Sequence, residues 1–185
     1  MNSKTKLLTL LTGTLAVSSL TVGTVFAQAN LTNQSKVTVN GIGPVRIGMT
    51  VPEATKAAGT KLVSLSGTPI SNAGCFYVKP QGAPRGVEMM LQDGRIARVD
   101  IMKNSRITTV KGAKIGDTEA QIKSLYPGQI QVTPHKYTQG GHYLTLIPKD
   151  RADQNYRIVF ETDGKRVTQF RSGKLPEVEN VERCG

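Results

Sequence analysis

Residues 45–59 read VRIGMTVPEATKAAG, and residues 113–128 read AKIGDTEAQIKSLYPG. In both stretches an Ile-Gly pair leads, after one further residue, into a threonine, and a glutamate or glutamine follows three positions later. A threonine with Glu or Gln at the third following position forms a capping box, in which each side chain accepts a hydrogen bond from the other residue's backbone N–H. Both stretches therefore predict the start of a helix.

The two predicted helices carry further signals in their opening turns and at their ends. Pro52 stands in the opening turn of the first, where a missing N–H is tolerated. Glu119 places a carboxylate at the positive end of the second helix dipole. Gly59 and Pro127-Gly128 end the two helices. Apolar residues recur at helical spacing on one face of each: Ala54, Ala57 and Ala58 in the first, and Ile122, Leu125 and Tyr126 in the second.

Four segments with strand character follow each helix start, at residues 61–65, 75–79, 87–91 and 95–101, and again at residues 129–133, 143–147, 156–161 and 166–170. An Asp-Gly turn joins the last two segments of each set, at Asp93-Gly94 and at Asp163-Gly164. The chain is therefore predicted to be an α+β protein of two tandem repeats, each a helix followed by an antiparallel β-meander, spanning 41–108 and 109–176. One short helix covers little of a meander, so the repeats should share a sheet with both helices packed on one face. The alternative is a coincidence of unrelated caps and turns.

The stretch IGMTVPEA at residues 47–54, with its glycine-terminated helix, resembles a repeat seen in small bacterial envelope proteins. Outer-membrane-assembly lipoproteins of the SmpA/OmlA type carry one such unit, and the β-lactamase-inhibitory proteins look like a tandem of two. The chain is also similar to uncharacterised exported bacterial proteins. The resemblance implies a helical pair backed onto a sheet, with a concave face that grips a partner. It implies no site residue, and this chain lacks the lipidation cysteine of the lipoproteins.

The N-terminal residues have the composition of a secretory signal peptide. Residues 1–6 carry two lysines and no acid, and residues 7–26 carry no charge. Small residues stand at the positions that signal peptidase reads before a cleavage after Ala27 or Ala29. We therefore expect a cleaved signal peptide at 1–29, an N-terminal segment at 30–40, no membrane anchor after cleavage, and a periplasmic or secreted location. An uncleaved anchor is the alternative.

Cys75 and Cys184 are the two cysteines of the chain. In an oxidising compartment an isolated pair usually forms a disulfide, which here would tie the C-terminal tail, residues 177–185, to the first half of the fold. Two free thiols or an intermolecular bond are the alternatives.

The chain is basic, with 24 Lys and Arg against 13 Asp and Glu and a net charge of +11. The charges are dispersed singly rather than clustered, and an exported protein rarely meets nucleic acid, so we expect no nucleic-acid partner. The excess charge either serves solubility or attracts an anionic envelope polymer or an acidic protein.

Few residues of the chain indicate a catalytic or metal-binding site. His135 and His142 lie on either side of a Gly-Gly turn, and Asp150 or Asp153 would be needed to complete a metal site of unusual spacing. The mature chain has no Gly-x-Ser-x-Gly elbow and no His-Glu-x-x-His helix. We therefore predict no catalytic residue, no metal and no cofactor. A site assembled from distant positions stays open as the alternative.

A binding role is favoured instead. Aromatic and basic side chains near the Gly-rich turn suit contact with a sugar or a protein, and the candidate binding residues are Tyr137, His142, Tyr143 and Arg157. Alternatively, the tyrosines pack against the core. The predicted function is a non-catalytic binding protein of the bacterial envelope or medium that engages a protein or an anionic polymer through its sheet face. The alternatives are a periplasmic hydrolase with an unrecognised site, or a stabilising component of an envelope complex. The sequence leaves the oligomeric state open.

Strand alternation predicts which side chains lie on each face. Tyr156, Ile158 and Phe160 should face the core, as should Val87, Met89 and Leu91. Arg157, Glu161 and Glu88 should point away from it. We further expect Glu161 and Asp163 to be solvated at a loop edge.

Overall fold

The computed structural model describes residues 30–70, 74–104 and 106–184, so the predicted signal peptide lies outside the described residues. In the described part of the chain, two α-helices accompany two sheets whose strands are almost all antiparallel, which confirms the α+β class. The helices are α1 (Val51–Ala58) and α2 (Glu119–Leu125). The described residues contain no helix that is both long and apolar enough to cross a bilayer.

The described strands are β1 (Lys36–Thr38), β2 (Gly41–Ile42), β3 (Val45–Arg46), β4 (Leu62–Ser64), β5 (Cys75–Pro80), β6 (Val87–Gln92), β7 (Arg95–Met102), β8 (Thr108–Thr109), β9 (Ile130–Pro134), β10 (His142–Leu146), β11 (Tyr156–Thr162) and β12 (Val167–Lys174). Eight of them form the large sheet, in the order β4-β5-β6-β7-β12-β11-β10-β9, and four short strands form a small sheet in the order β3-β2-β1-β8. Two 3₁₀-helices lie at Arg151–Asp153 and Glu177–Glu179.

Both capping boxes are present. The side chain of Thr50 accepts a hydrogen bond from the N–H of Glu53 at 3.4 Å, and Glu53 Oε2 accepts one from the N–H of Thr50 at 2.8 Å. Thr118 and Gln121 make the same pair of bonds at 3.2 and 2.7 Å. Helix α1 ends at Gly59, whose φ of +65° is the left-handed conformation that glycine adopts without strain. The two helix starts predicted from the sequence are therefore confirmed.

The large sheet is built outward from its centre. Strands β7 and β12 pair antiparallel in the middle, with Ile101 opposite Phe170. Strands β4–β7 form one side and strands β9–β12 the other, each as consecutive antiparallel neighbours. Below we call β4–β7 the first half and β9–β12 the second half. Seven of the eight predicted strand segments match these strands to within two residues at each end, and β12 runs four residues further than predicted.

One face of the large sheet carries the main apolar core. Val87, Met89 and Leu91 lie in it as predicted, and so do Ile158 and Phe160. Buried residues of both helices belong to the same cluster, including Ala54, Ala58 and Ile122. Both helices therefore pack on this face, which we call the core face.

The opposite face of the sheet is polar, and the C-terminal segment, residues 175–184, lies across it. Val178 is fully buried against Tyr143 and Val159 of the second half. The end of the segment is held by the predicted disulfide between Cys75 and Cys184, with a Cα–Cα distance of 5.5 Å. The disulfide is confirmed.

The segment changes the environment of the face that we expected to be free. Glu161 points away from the core as predicted, but it is only 6% exposed. The expectation that Glu161 is a solvated residue at a loop edge is therefore wrong, because the side chains of His135, Gln169 and Arg171 lie against its carboxylate. Asp163, in the following turn, is exposed as expected.

Candidate functional site

The polar face holds a buried arginine from each half of the sheet. Arg98 on β7 is 2% exposed and forms an ion pair with Asp100 at 3.0 Å. Its guanidinium also donates to the hydroxyl of Tyr77 at 2.7 Å and to the carbonyls of Glu177 and Asn180 at 3.1 and 2.6 Å. Because every side of the guanidinium has a partner, Arg98 fastens the C-terminal segment to the first half.

Arg171 on β12 makes the corresponding contacts in the second half. It is 4% exposed, forms an ion pair with Glu161, and donates through Nε to the carbonyl of Val178 at 2.6 Å. Burial alone would raise the pKa of Glu161. The charge of Arg171 and hydrogen bonds from Gln169, Arg171 and His135 outweigh burial, so the pKa lies below its ordinary value. Glu161 is therefore an ionised, fully partnered carboxylate.

His135 completes this network through both ring nitrogens. Its Nδ1 accepts the backbone N–H groups of Tyr137 and Thr138, each at 3.1 Å. The hydrogen must then be on Nε2, which donates to Glu161 at 3.3 Å. The ring also stacks on Tyr143 with centroids 4.4 Å apart. With both nitrogens occupied, His135 is neither a free base nor a free metal ligand.

Two of the four predicted binding residues meet beside His135. Tyr143 is 9% exposed, and its hydroxyl accepts the backbone N–H of Lys136 at 3.3 Å. Tyr137 is 62% exposed, and its hydroxyl bonds Glu182 of the C-terminal segment, which also pairs with Lys136 at 2.7 Å. Tyr143 is therefore a packing residue, the alternative that the sequence left open, while Tyr137 is available for contact.

His142 and Arg157 lie elsewhere. His142 Nδ1 is 2.8 Å from Glu119 Oε1 at the start of α2, and the hydroxyl of Thr162 donates to the same oxygen at 2.6 Å. Burial alone would raise the pKa of Glu119, but these two hydrogen bonds outweigh it and the pKa lies below its ordinary value. Arg157 donates to the carbonyls of its near neighbours Gln154 and Tyr156. The four predicted residues therefore do not form one site.

The residues considered for a metal site are also separated. Asp150 caps the 3₁₀-helix that follows it, through the N–H of Ala152 at 2.9 Å. Across the described ranges, no group of three or more His, Cys, Asp or Glu side chains is placed to hold a metal ion.

Sequence reasoning missed the open edge of the second half. Strand β9 is the last strand of the sheet, and its side chains from Gln131 to Pro134 are exposed. The N–H of Ile147 donates to Gln129, and that of His135 donates to Gly141. In an antiparallel ladder every second residue of a strand bonds to the same neighbouring strand. Gln131 and Thr133, which lie between Gln129 and His135 at this spacing, therefore direct their backbone groups toward β10.

Ile130 and Val132 consequently point their N–H and C=O groups away from the sheet, and no described residue bonds them. Pro134 also points its carbonyl outward, and its missing N–H costs the sheet nothing. Val132 is 40% exposed, and the strand carries no charge. An uncharged, β-branched run beside a proline is the sequence signal that could have identified this edge.

A shallow groove adjoins this edge on the polar face. Its volume is about 210 Å³, and it lies between strands β9–β12 and the C-terminal segment. It is lined by Gln131, Thr133, Tyr143, Thr145, Val159, Arg171, Glu179 and Val181. The lining combines amide, hydroxyl and apolar side chains with the charged side chains of Arg171 and Glu179, a mixture that suits contact with a peptide.

Comparison with known proteins adds little. No protein-family model and no curated protein matches the chain. A solved structure that is similar is the crystal structure of the uncharacterized protein yfeY from Escherichia coli, with 19% identity, 75% of this chain and 99% of that chain covered, and a TM-score of 0.47. This likeness is too distant to carry an argument, and the resemblance to the SmpA/OmlA and β-lactamase-inhibitory proteins stays a prediction.

Proposed function

We propose that this chain is an exported, non-catalytic binding protein of the bacterial envelope or medium, which engages an extended segment of a partner protein at the open edge of its large sheet. The observation that carries the proposal is the edge formed by β9, where Ile130 and Val132 present unpaired backbone donors and acceptors. Adding a strand to such an edge is a common mode of peptide recognition, in which backbone bonds supply affinity and alternate side chains supply specificity.

The groove beside β9 supports the same function. A strand added at the edge would direct alternate side chains to the polar face, toward Gln131, Thr133 and the groove. Tyr137, with its exposed ring, lies in the turn that follows β9. An acidic partner segment would also be favoured by the excess of basic over acidic residues in the chain.

The disulfide between Cys75 and Cys184 is consistent with an oxidising compartment. It therefore supports the proposed location in the periplasm or the medium. The proposed signal peptide at residues 1–29 would direct the chain to the same location. N-terminal sequencing of the exported chain tests cleavage after Ala27 or Ala29.

We further propose that the fold consists of two tandem repeats of helix and β-meander. Beyond the two capping boxes, Thr50 bridges Arg95, and Thr118 bridges Arg166. Arg95 donates to the carbonyl of Gly48 at 2.8 Å, and Arg166 donates to the carbonyl of Gly116 at 2.7 Å. Matching contacts at the helix starts support a duplicated unit of the kind that the SmpA/OmlA resemblance implies.

The test of the binding function uses one edge position, Val132. In Val132→Pro the outward N–H is removed while the bonds to β10 are kept, whereas Val132→Thr keeps the N–H and the strand shape as a matched control. We expect tagged mature wild-type and Val132→Thr proteins to retain a stoichiometric partner from envelope extract, and Val132→Pro to lose it. Val132→Lys, which places a charge on the edge, is the second variant if the proline variant does not fold.

Unaltered capture by both Val132→Pro and Val132→Lys would show that the edge is not used. Recovery of no partner by the wild-type protein, together with turnover of a hydrolase substrate panel, would contradict the binding function as a whole.

A second candidate function, a periplasmic hydrolase, is favoured by one observation. Glu119 orients His142 through Nδ1, and no described residue occupies Nε2, so this ring is arranged as in a carboxylate–histidine pair that serves as a general base. If this function is correct, His142→Gln abolishes turnover of a substrate that the wild-type protein hydrolyses. If no substrate in the panel is hydrolysed, the binding function stands alone.

A further inference from the structure

A basic cavity lies at an end of the large sheet, away from the β9 edge. It is open to solvent and lies between the connection that joins β5 to β6 and the chain that follows β7. Its volume is about 440 Å³, and it is lined by Asn33, Ala83, Arg85, Lys103, Asn104 and Arg106. It shares no residue with the proposed peptide-binding edge.

The charges around this cavity are unbalanced. Three cationic side chains, those of Arg85, Lys103 and Arg106, line it, and no carboxylate is among its described lining residues. No described acidic side chain pairs with any of the three. By contrast, Arg98 and Arg171 are both paired with buried carboxylates. Like charges held around one cavity repel one another, and an anion bound between them would remove that repulsion.

The cavity wall is fixed by an asparagine rather than formed by free loops. Asn104 Nδ2 donates to Asn33 Oδ1 at 3.1 Å and to the carbonyl of Arg85 at 2.6 Å. Asn104 Oδ1 in turn accepts the backbone N–H of Arg106 at 3.1 Å. One side chain therefore joins the N-terminal segment and both connections that carry the basic residues.

The backbone around the cavity is strained and tightly packed. Lys103 has a φ of +54°, a left-handed conformation that is uncommon for a residue with a side chain. Gly86 approaches the carbonyl of Met102 so closely that a Cβ atom would lie 2.0 Å from that oxygen. Strain of this kind concentrates at ligand sites, where the surrounding structure imposes a conformation that the local sequence does not favour.

We propose that this cavity binds a phosphate-type oxyanion. Two guanidinium groups and an ammonium group match the geometry and charge of a phosphate, because arginine donates two parallel hydrogen bonds to its oxygens. The volume exceeds that of one phosphate group, so the cavity accommodates a phosphate that continues into a larger molecule. The same chemistry is offered by a free phosphate ester and by a phosphodiester polymer of the envelope.

The test compares two variants with the same change in net charge. In the cavity variant, Arg85→Gln, Lys103→Gln and Arg106→Gln are combined. In the control variant, Lys79→Gln, Arg151→Gln and Lys165→Gln are combined, all at exposed positions outside the cavity. Calorimetric titration with inorganic phosphate is expected to show binding to the wild-type protein that weakens by roughly tenfold or more in the cavity variant. In the control variant the affinity should stay within roughly twofold.

Two arms distinguish the sources of the phosphate group. A titration with glycerol 3-phosphate represents the free ester, and one with oligo(glycerol phosphate) represents the polymer. Tighter binding of the oligomer per phosphate group, lost in the cavity variant, assigns the polymer, and equal binding per phosphate group assigns the free ester.

A second measurement keeps the proposal testable if the cavity variant does not fold. Backbone amide shifts of the wild-type protein during the phosphate titration should change at residues 85, 86, 103, 104 and 106 and not at β9. Shifts spread evenly over the basic surface, or equal losses of affinity in both variants, would show that only net charge acts. Absence of phosphate binding to the wild-type protein would overturn the proposal.

Discussion

The two halves of the large sheet hold the same C-terminal segment with the same kind of residue but with different supporting contacts. Arg98 in the first half pairs with Asp100 on its own strand. Arg171 in the second half pairs with Glu161 on the neighbouring strand, and Glu161 also accepts hydrogen bonds from Gln169 and His135. The polar face is therefore organised around the C-terminal segment, and the buried carboxylate of the second half has more donors than that of the first.

The halves also differ at their outer edges. Strand β4 ends the first half after three residues, and the chain then leads into a loop whose Ile70 packs on the core. Strand β9 ends the second half with five residues, four of them exposed. A very short edge strand offers few backbone groups to another chain, and a longer uncharged one offers a template. The second half is therefore the side on which we place the partner.

The largest expected effect comes from removing the disulfide that ties the segment to the first half. The bridge closes a loop with a sequence separation of 109. In the chain-entropy model, the double variant Cys75→Ala with Cys184→Ala should lower the free energy of unfolding by about 4–5 kcal/mol. Urea unfolding of the oxidised wild-type protein and the double variant measures the difference. A loss below about 1 kcal/mol would show that the hydrogen bonds to the segment suffice without the bridge.

The next largest effect on the free energy of unfolding is expected from substitutions of the two buried arginines. Arg98→Met and Arg171→Met should each lower the free energy of unfolding by about 3–5 kcal/mol, because each leaves a buried carboxylate without its cation. Arg98→Met should be the more costly, since Glu161 keeps two donors after Arg171 is lost. Denaturant unfolding measures both values, with the exposed residue change Arg151→Met as the control, expected within about 0.5 kcal/mol of wild type. A larger loss for Arg171→Met than for Arg98→Met would contradict the comparison.

The smallest effect on the free energy of unfolding is expected from substitutions in the two capping boxes. Thr50→Ala and Thr118→Ala should each cost about 1 kcal/mol, because each leaves a backbone N–H of the first turn without its acceptor. The first box uses a carboxylate, and the hydrogen bonds from Thr50 lower the pKa of Glu53. Because the pKa of Glu53 is lower in the folded state, the stabilisation by its carboxylate is fully present at pH values above the ordinary pKa of glutamate. It is lost as the pH falls through the pKa of the folded state.

The second box uses Gln121, which does not titrate, and this difference makes the pH test specific. Thermal unfolding followed from about pH 6 down to about pH 3 should show the cost of Thr50→Ala shrinking while that of Thr118→Ala stays constant. Glu53→Gln should remove the pH dependence of the first box. A cost of Thr50→Ala that does not change with pH would contradict the assigned role of Glu53.

Features whose partners lie close together along the chain could be predicted from the sequence, and features that join distant residues could not. The caps at Thr50 and Thr118 were predictable because every partner lies within three residues. Face alternation at Val87, Met89 and Leu91 was predictable because side chains alternate in any strand. The disulfide followed from the number of cysteines and the presumed compartment rather than from any spacing. Tyr137, His142, Tyr143 and Arg157 were grouped from the sequence alone. Successive strand positions direct His142 and Tyr143 to opposite faces, and Arg157 lies further along β11 from Glu161, the residue opposite Tyr143.

Local patterns along the chain are therefore enough to predict the two capped helices, the strands that follow them, the apolar face of those strands and the pairing of two cysteines. The folded chain alone reveals the course of the C-terminal segment, the burial of Glu161, the open edge at β9 and the basic cavity around Asn104. These features differ because burial of a polar side chain depends on which distant segment covers it. Periodicity in a single strand carries no information about that segment, because the contacts that select it join residues far apart along the chain.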